Sequence, residues 1–147
     1  MSFLEKLGPK IITADKKLTS TLTLQEQKYL AIYMGAKWSP ASQAFKEKLI
    51  EFYKEINEGD SLMEIIYLSW DNCEKDFVEE LEQMPWLAIP FKTKFRYSFY
   101  NDFKKHFPGL PSLVIFSPSN GEIVEAGGRK EIELNKEEFS ERLKNGI

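Results

Sequence analysis

The apolar positions of this chain predict strands and helices that alternate along the sequence. Continuous apolar runs at residues 29–34, 65–68 and 113–116 have the length of strands that are covered on both faces. Residues 11–14, before a charged turn, predict a short leading hairpin, and the alternating run 122–125 predicts a last, half-exposed strand. Because a helix separates the first two apolar runs, we expect these two strands to be parallel, with a right-handed crossover.

Four segments between and after these strands have the apolar periodicity of amphipathic helices. The second helix is predicted to begin at Asp71, where Glu74 completes a capping box. The last is predicted to begin at Asn135 and to end near Gly146, and residues 127–130 before it are predicted to form a turn. The apolar stripes of the four helices contain Phe45, Leu49, Phe52, Tyr53 and Ile56; Cys73, Phe77, Leu81 and Met84; Phe99, Phe103 and Phe107; and Phe139 and Leu143.

This order of elements predicts an α/β fold with a central mixed β-sheet that is flanked by helices on both faces. The 147 residues are typical of one domain and are enough to bury a core without disulfides or metal ions. We therefore predict a single domain over residues 1–147.

The composition argues against several classes of function. The chain has 20 Lys and Arg against 23 Asp and Glu, a net charge of −3, so we expect no nucleic-acid partner. Its one cysteine, Cys73, and one histidine, His106, allow no internal disulfide and no Cys/His metal cluster, so we predict neither a metal nor a cofactor. No apolar stretch approaches the ~18 residues that span a bilayer, and the charged N-terminal segment is not a secretory signal. We therefore expect a cytoplasmic protein with no membrane partner.

A distinctive helix start follows the first central strand. It reads Trp38-Ser39-Pro40-Ala41-Ser42, in which a serine suits the N-cap and a proline suits the first turn of a helix. Three further motifs lie near the ends of other elements: Leu68-Ser69-Trp70-Asp71, Met84-Pro85-Trp86-Leu87-Ala88-Ile89-Pro90-Phe91, and Leu110-Pro111-Ser112-Leu113.

With the order of elements, these four motifs resemble the tryparedoxin and nucleoredoxin branch of the thioredoxin superfamily, over about residues 4–128. The resemblance implies a thioredoxin-like fold and a cis peptide bond before Pro111, since the family places a cis-proline ahead of a sheet strand. It also implies that Ser39 and Ser42 stand where the family has two redox cysteines. In the family, the first cysteine attacks a substrate disulfide and the second resolves the mixed disulfide.

Two functional interpretations follow from these serines. A hydroxyl forms no disulfide and stays protonated at neutral pH without a nearby base, for which Lys37 is the one evident candidate. We therefore predict no catalytic residue and a redox-inactive protein that binds a protein partner or acts as a scaffold. The resemblance permits association with the cytoskeleton, including microtubules. The alternative is a tryparedoxin-type thiol–disulfide oxidoreductase whose cysteines at positions 39 and 42 have been replaced by serine.

The apolar surroundings of the two serines are predicted to remain as a binding groove. In the family, this rim and the backbone beside the cis-proline hold an extended substrate peptide. A simpler interpretation is that Trp38 only packs over the helix start. The groove candidates are Trp38, Pro40, Trp86, Leu110 and Pro111.

A basic and aromatic segment covers residues 91–107 and is the most cationic window of the chain. Such a segment suits an acidic protein partner, of which tubulin is one example. The simpler interpretation is a stripe of core aromatics with lysines on its wet side. The surface candidates in this segment are Lys92, Lys94, Arg96, Lys104 and Lys105.

The single cysteine also has two interpretations. Cys73 lies on the apolar stripe of the second predicted helix, where a free cysteine serves as a small buried hydrophobe, and we favour this interpretation. The other interpretation is a monothiol whose pKa is lowered by the start of the helix.

Overall fold

The computed structural model describes residues 2–147, and these contain one seven-stranded sheet. The strands are β1 (Lys10–Ile12), β2 (Leu18–Ser20), β3 (Tyr29–Gly35), β4 (Met63–Ser69), β5 (Leu87–Ala88), β6 (Ser112–Phe116) and β7 (Ile123–Glu125). Their order across the sheet is β2-β1-β5-β4-β3-β6-β7. Strand β4 is parallel to both β3 and β5, whereas the other pairings are antiparallel, so the sheet is mixed as predicted.

Helices connect the strands and cover the sheet. They are α1 (Pro40–Ile56), α2 (Glu74–Glu82), α3 (Phe95–Phe103) and α4 (Gly128–Asn145), with short 3₁₀ segments at Leu4–Leu7, Thr21–Glu26 and Lys104–His106. The leading hairpin, the β3-α1-β4 crossover between parallel strands and the antiparallel pair β6-β7 all agree with the sequence-based predictions.

The sheet is covered on both faces because its central strands are apolar on both sides. In β3, the alternating side chains of Tyr29, Ala31 and Tyr33 belong to one core cluster, and those of Leu30, Ile32 and Met34 belong to another. Helices α1, α2 and α4 contribute to the first cluster, whereas α3 and the N-terminal 3₁₀ segment contribute to the second. The predicted α/β fold, with helices on both faces of the sheet, is confirmed.

The start of α2 differs from the prediction. The helix begins at Glu74, and its N-cap is Cys73, whose side chain makes no capping hydrogen bond. The capping box at Asp71 is wrong because the Asp71 carboxylate is used by another part of the chain, as described below. The Cys73 thiol is exposed, so the interpretation of this residue as a small buried hydrophobe is also wrong.

The start of α4 and the short strand β5 also differ from the prediction. Residues 127–130 are not a separate turn, since α4 begins at Gly128. A Cβ atom there would lie 2.9 Å from the carbonyl oxygen of Leu113, so glycine permits the helix to begin this close to β6. Non-helical backbone angles at Asn135 divide α4, and the predicted helix corresponds to its second part. With only two residues, β5 is too short to show a periodicity.

Helix α4 offers a test of the first core cluster. Phe139 is fully buried and stacks on Phe52 of α1, with 5.9 Å between ring centroids. Phe139→Ala is expected to lower the free energy of unfolding by about 3–5 kcal/mol, because it leaves a cavity where the ring was. Leu134→Ala is the matched control in the same helix, since Leu134 is 68% exposed. Urea unfolding measures both changes, and similar losses for the two variants would contradict this packing.

Candidate functional site

The predicted site lies at the edge of the sheet where β3 and β4 end and β6 begins. Strand β3 pairs with β4 so that Gly35 faces Ser69, and it pairs with β6 so that Met34 faces Ser112. The segments that continue from these pairs are therefore neighbours: residues 36–39, residues 70–71 and residues 110–111. Each of them contains residues that the sequence motifs singled out.

The first of these segments leads into α1, and Ser39 is its N-cap as predicted. The Ser39 backbone is extended, and its Oγ accepts a hydrogen bond from the Ser42 amide at 3.2 Å. Pro40 follows in the first turn, where its missing N–H leaves no intrahelical bond unmade. The serine therefore satisfies the start of the helix without contributing any redox chemistry.

The side chain of Ser42 is less well satisfied than that of Ser39. It is fully buried, and its Oγ has no hydrogen-bond partner among residues 2–147. A buried hydroxyl without a partner costs about 1–3 kcal/mol, whereas a thiol loses less because it is a weaker hydrogen-bonding group. The pocket at position 42 thus suits a small apolar or thiol side chain better than it suits serine.

Lys37 does not provide a base for the Ser39 hydroxyl. Its ammonium group binds the Glu79 carboxylate and lies 3.7 Å from an oxygen of Asp76. The hydrogen bond with Glu79 raises the pKa of Lys37, so the amine stays protonated at neutral pH. The base that the sequence suggested is therefore held as a cation by carboxylates of α2.

The buried carboxylate of Asp71 joins the end of β4 to the segment before α1. One oxygen accepts from the Lys37 amide at 2.6 Å, and the other accepts from the Tyr67 and Ser69 hydroxyls, each at 2.6 Å. Burial, and after it the charge of Asp71, raises the pKa of Tyr67, so the phenol remains a donor. Asp71 thus positions residues 36–39 and does not cap α2.

A second buried polar group connects α1 to α2 behind the site. The Lys46 ammonium binds both oxygens of Glu80 at 3.1 Å, and it also binds the amide oxygens of Gln43 at 2.9 Å and Gln83 at 2.6 Å. Gln43 in turn donates to the Ala36 carbonyl at 3.2 Å, so the ion pair reaches the segment before α1. The sequence pattern did not indicate this group, because Lys46 is separated from Glu80 by 34 positions and from Gln83 by 37 positions.

Four aromatic side chains extend the site across the surface towards α3. Trp38 is 51% exposed, and its indole N–H donates to the Trp70 carbonyl at 2.9 Å. The Trp70 ring lies 4.7 Å from that of Tyr100 and 5.9 Å from that of Tyr97, measured between centroids. The sequence analysis missed Trp70, Tyr97 and Tyr100 as site residues, although all three stand in segments that it singled out.

The peptide bond between Leu110 and Pro111 is cis, as the family resemblance implies. Beside it lies a cleft of about 370 Å³, whose wall includes His106, Arg129 and Lys130. The backbone N–H and carbonyl of Leu110 make no hydrogen bond within the described chain, and its side chain is half-buried. This segment therefore has free backbone groups next to an apolar surface.

Three predicted surface residues, Trp86, Pro111 and Arg96, are in fact buried. Trp86 is 2% exposed, and its ring packs edge-on against Tyr33 and Tyr53, so it belongs to the core and not to the groove. Arg96 is 6% exposed and donates to the backbone carbonyls of Ser69 and Phe91. It therefore connects the end of β4 to the segment that follows β5. Packing before β5, in α3 and ahead of β6 therefore buries these three side chains, and Pro111 contributes to the wall of the cleft beside the cis bond but not to an exposed surface.

Apart from the half-buried Leu110, the other predicted surface residues are exposed and stand on different elements. Pro40 is exposed at the start of α1, and Lys94, Lys104 and Lys105 are exposed on or beside α3. Lys92 is also exposed, but it pairs with Glu74 at the start of α2, at 3.2 Å. Over residues 2–147, no group of three or more His, Cys, Asp or Glu side chains could hold a metal ion. No helix in that part of the chain is long and apolar enough to cross a membrane.

Comparison with known sequences finds similarity over most of the chain. The family described as thioredoxin-like matches residues 27–123. Human nucleoredoxin is 34% identical over 134 residues, which is 91% of this chain but 30% of that protein. Tryparedoxin from Trypanosoma brucei brucei is 30% identical over 71% of this chain and 72% of its own length. The chain spans less than a third of the length of the animal nucleoredoxins that it matches.

Comparison with solved structures finds the same group of proteins. Tryparedoxin II from Crithidia fasciculata superposes with a TM-score of 0.81 at 28% identity, over 91% of this chain and 88% of that one. Tryparedoxin II complexed with glutathionylspermidine superposes with a TM-score of 0.82, also at 28% identity, over 92% and 94% of the two chains.

The two serines at the start of α1 make different contacts, and we expect different costs on truncation. Ser39→Ala is expected to lower the free energy of unfolding by about 1 kcal/mol, because α1 loses its N-cap. Ser42→Ala should leave stability unchanged or raise it, because it removes a buried hydroxyl that has no partner. Thermal or urea unfolding of the two variants measures the difference, and a larger loss for Ser42→Ala would show that its hydroxyl is satisfied.

The buried pair between α1 and α2 offers a second test of the structure around the site. Lys46→Met alone is expected to cost about 3–5 kcal/mol, because it leaves the Glu80 carboxylate buried without its partner. The double variant Lys46→Met/Glu80→Leu should recover most of that loss, since no charge then remains buried. A double-mutant cycle by urea unfolding measures the coupling, and additive losses would contradict a direct ion pair.

Proposed function

Because the chain belongs to the thioredoxin-like family, within its tryparedoxin and nucleoredoxin branch, we propose that it binds an extended segment of a partner protein without exchanging a disulfide. The observation that carries the proposal is the start of α1, where Ser39 and Ser42 occupy a well-formed helix N-terminus. The relatives point to redox-type chemistry, so the proposal concerns how this chain departs from them.

The side chains at the helix start cannot complete a thiol–disulfide exchange. That reaction needs a thiolate that attacks one sulfur of the substrate disulfide and a second thiol that displaces the partner. The Ser39 oxygen instead accepts a hydrogen bond from the Ser42 amide, and Lys37 is held as a cation by Glu79. The remaining thiol, Cys73, stands alone at the start of α2. A partner is therefore expected to bind and leave without a covalent intermediate.

The surface around the helix start keeps the properties of a peptide-binding site. Trp38 is exposed beside Trp70 and Tyr97, which gives an aromatic platform for apolar side chains. Leu110 offers an unpaired N–H and carbonyl, which an extended segment can meet with backbone hydrogen bonds. The complex of tryparedoxin II with glutathionylspermidine supports the proposal, because a protein of very similar fold binds a ligand.

An acidic partner is favoured by the charges near this surface. Lys94, Lys104 and Lys105 are exposed at the two ends of α3, and Arg129 and Lys130 line the cleft beside Pro111. Tubulin is one acidic protein of this kind, and co-sedimentation with microtubules, with and without added salt, tests it. We expect binding that weakens as salt rises, and absence from the microtubule pellet at low salt would remove tubulin from consideration.

The pocket at position 42 favours a second candidate, the thiol–disulfide oxidoreductase with cysteines at positions 39 and 42. The Ser42 hydroxyl is buried without a hydrogen-bond partner, and a thiol in the same place would have a smaller desolvation cost. If the natural residues are cysteines, the same site would reduce protein disulfides. Sequencing the coding DNA at these two positions separates the candidates directly.

Redox activity is tested by comparing the chain with a variant that restores two thiols. The chain with Ser39 and Ser42 is expected to reduce insulin no faster than buffer does, when dithiothreitol supplies the electrons. Ser39→Cys/Ser42→Cys is expected to gain turnover, because the thiolate would stand at the helix N-terminus that stabilises its charge. Ser39→Ala/Ser42→Ala is the matched control for folding. Turnover by the unaltered chain would contradict the proposal.

Partner binding is tested by variants of the exposed aromatic surface. Trp38→Ala is expected to abolish capture of a partner from an extract of the cells of origin, because it removes the central contact while leaving the core intact. Leu134→Ala is the control, since Leu134 is exposed on α4 at a distance from the site. A partner that binds the Trp38→Ala variant as well as the unaltered chain would place the interaction elsewhere.

A further inference from the structure

A second cleft lies between the leading hairpin, α2 and the segment after β5. Its volume of about 670 Å³ falls within the range of small-molecule sites. Its floor is formed by Ile12 of β1, Phe77 and Val78 of α2, and Phe91 of the segment that follows β5. The rings of Phe77 and Phe91 lie 5.5 Å apart between centroids. The floor is thus apolar and supplied by three separate parts of the chain.

The rim of this cleft has positive charges that are free to bind a ligand, whereas its negative charges are already paired. Its two acidic residues, Glu74 and Glu79, already pair with Lys92 and Lys37 respectively. The two other lysines on the rim, Lys16 and Lys75, have no ion-pair partner within residues 2–147. An apolar floor with unpaired ammonium groups at its edge is complementary to a molecule that has an apolar body and one negative charge.

Lys16 reaches this rim from an unusual backbone conformation. It stands in the hairpin turn with φ = +68°, a region that glycine and asparagine adopt more easily than lysine. Its amide donates to the Thr13 carbonyl at 2.9 Å, so the turn holds the residue in place. A glycine would relax the turn but would remove the ammonium group from the cleft. The lysine at this position therefore has a local cost that a ligand contact would explain.

We propose that this cleft binds a small amphipathic carboxylate, with its apolar body against Val78 and Phe91, beneath which Phe77 is buried, and its carboxylate at the rim, where Lys16 and Lys75 stand. The ligand is a small molecule because the volume fits one and because three elements enclose the floor. The cleft shares no lining residue with the Trp38–Pro111 site. The proposal is therefore independent of the proposed peptide-binding function.

Octanoate and its charge-inverted counterpart, octyltrimethylammonium, are the probes that test this site. Titration of octanoate into the ¹⁵N-labelled chain is expected to shift the NMR resonances of Ile12, Phe77, Val78 and Phe91. The ammonium compound should leave them in place, because the lysines repel it. Equal binding of both compounds, or octanoate shifts centred on Trp38 and Leu110, would overturn the proposal.

Variants of the two lysines test the carboxylate contact. Lys16→Gly and Lys75→Ala are each expected to weaken octanoate binding roughly tenfold, the effect of losing one charge-assisted contact. Lys17→Ala is the matched control, since Lys17 belongs to the same turn and does not line the cleft. Lys16→Gly should fold at least as stably as the unaltered chain, and Lys75→Ala leaves the turn unchanged. Unaltered octanoate affinity in both lysine variants would overturn the proposal.

Discussion

The buried carboxylate of Asp71 is the contact on which the functional edge of the sheet depends. It receives hydrogen bonds from the Tyr67 and Ser69 side chains at the end of β4 and from the Lys37 amide before α1. A buried carboxylate is costly when its donors are missing, so these two parts of the chain must keep their relative places. The position of α1, and with it the helix start at Ser39, follows from this constraint.

The structure around the helix start does not depend on a thiol. Ser39 caps α1, and the Lys46–Glu80 pair and Gln43 hold α1 to α2 from behind. None of these contacts involves a thiol. A chain of this fold can therefore keep the shape of the site, including the exposed Trp38 and the cis bond before Pro111, when both positions carry serine. The exposed surface beside the helix start therefore does not depend on a thiol at either position.

The two serines at the start of α1 differ in how well their hydrogen-bonding groups are satisfied. The hydroxyl of Ser39 has a role in the helix, whereas that of Ser42 is buried without one. A residue that fits its surroundings and a residue that fits them poorly stand three positions apart in the same turn. A thiol at position 42 would leave a weaker hydrogen-bonding group unsatisfied than the Ser42 hydroxyl does.

The element order, the mixed sheet and the helix start at Ser39 could be predicted, because they depend on local periodicity and capping. The errors have a common cause. Asp71 has the sequence context of a helix cap, but its carboxylate meets donors from residues 37 and 67, which local spacing does not reveal. Trp86 and Arg96 have side chains typical of a binding surface, but the packing of β5 and α3 buries them.

The sequence by itself thus determined most of the elements that form and the absence of a thiol at positions 39 and 42. It could do so because helix capping, strand periodicity and the identity of a side chain are local properties. Only the tertiary structure decided which side chains are exposed at the site, that Trp70 and Tyr97 extend it, and that Lys16 and Lys75 line the same cleft. The exposure of a side chain and the pairing of its charge depend on residues that are distant in the chain. Both are therefore set only when the sheet and its helices pack together.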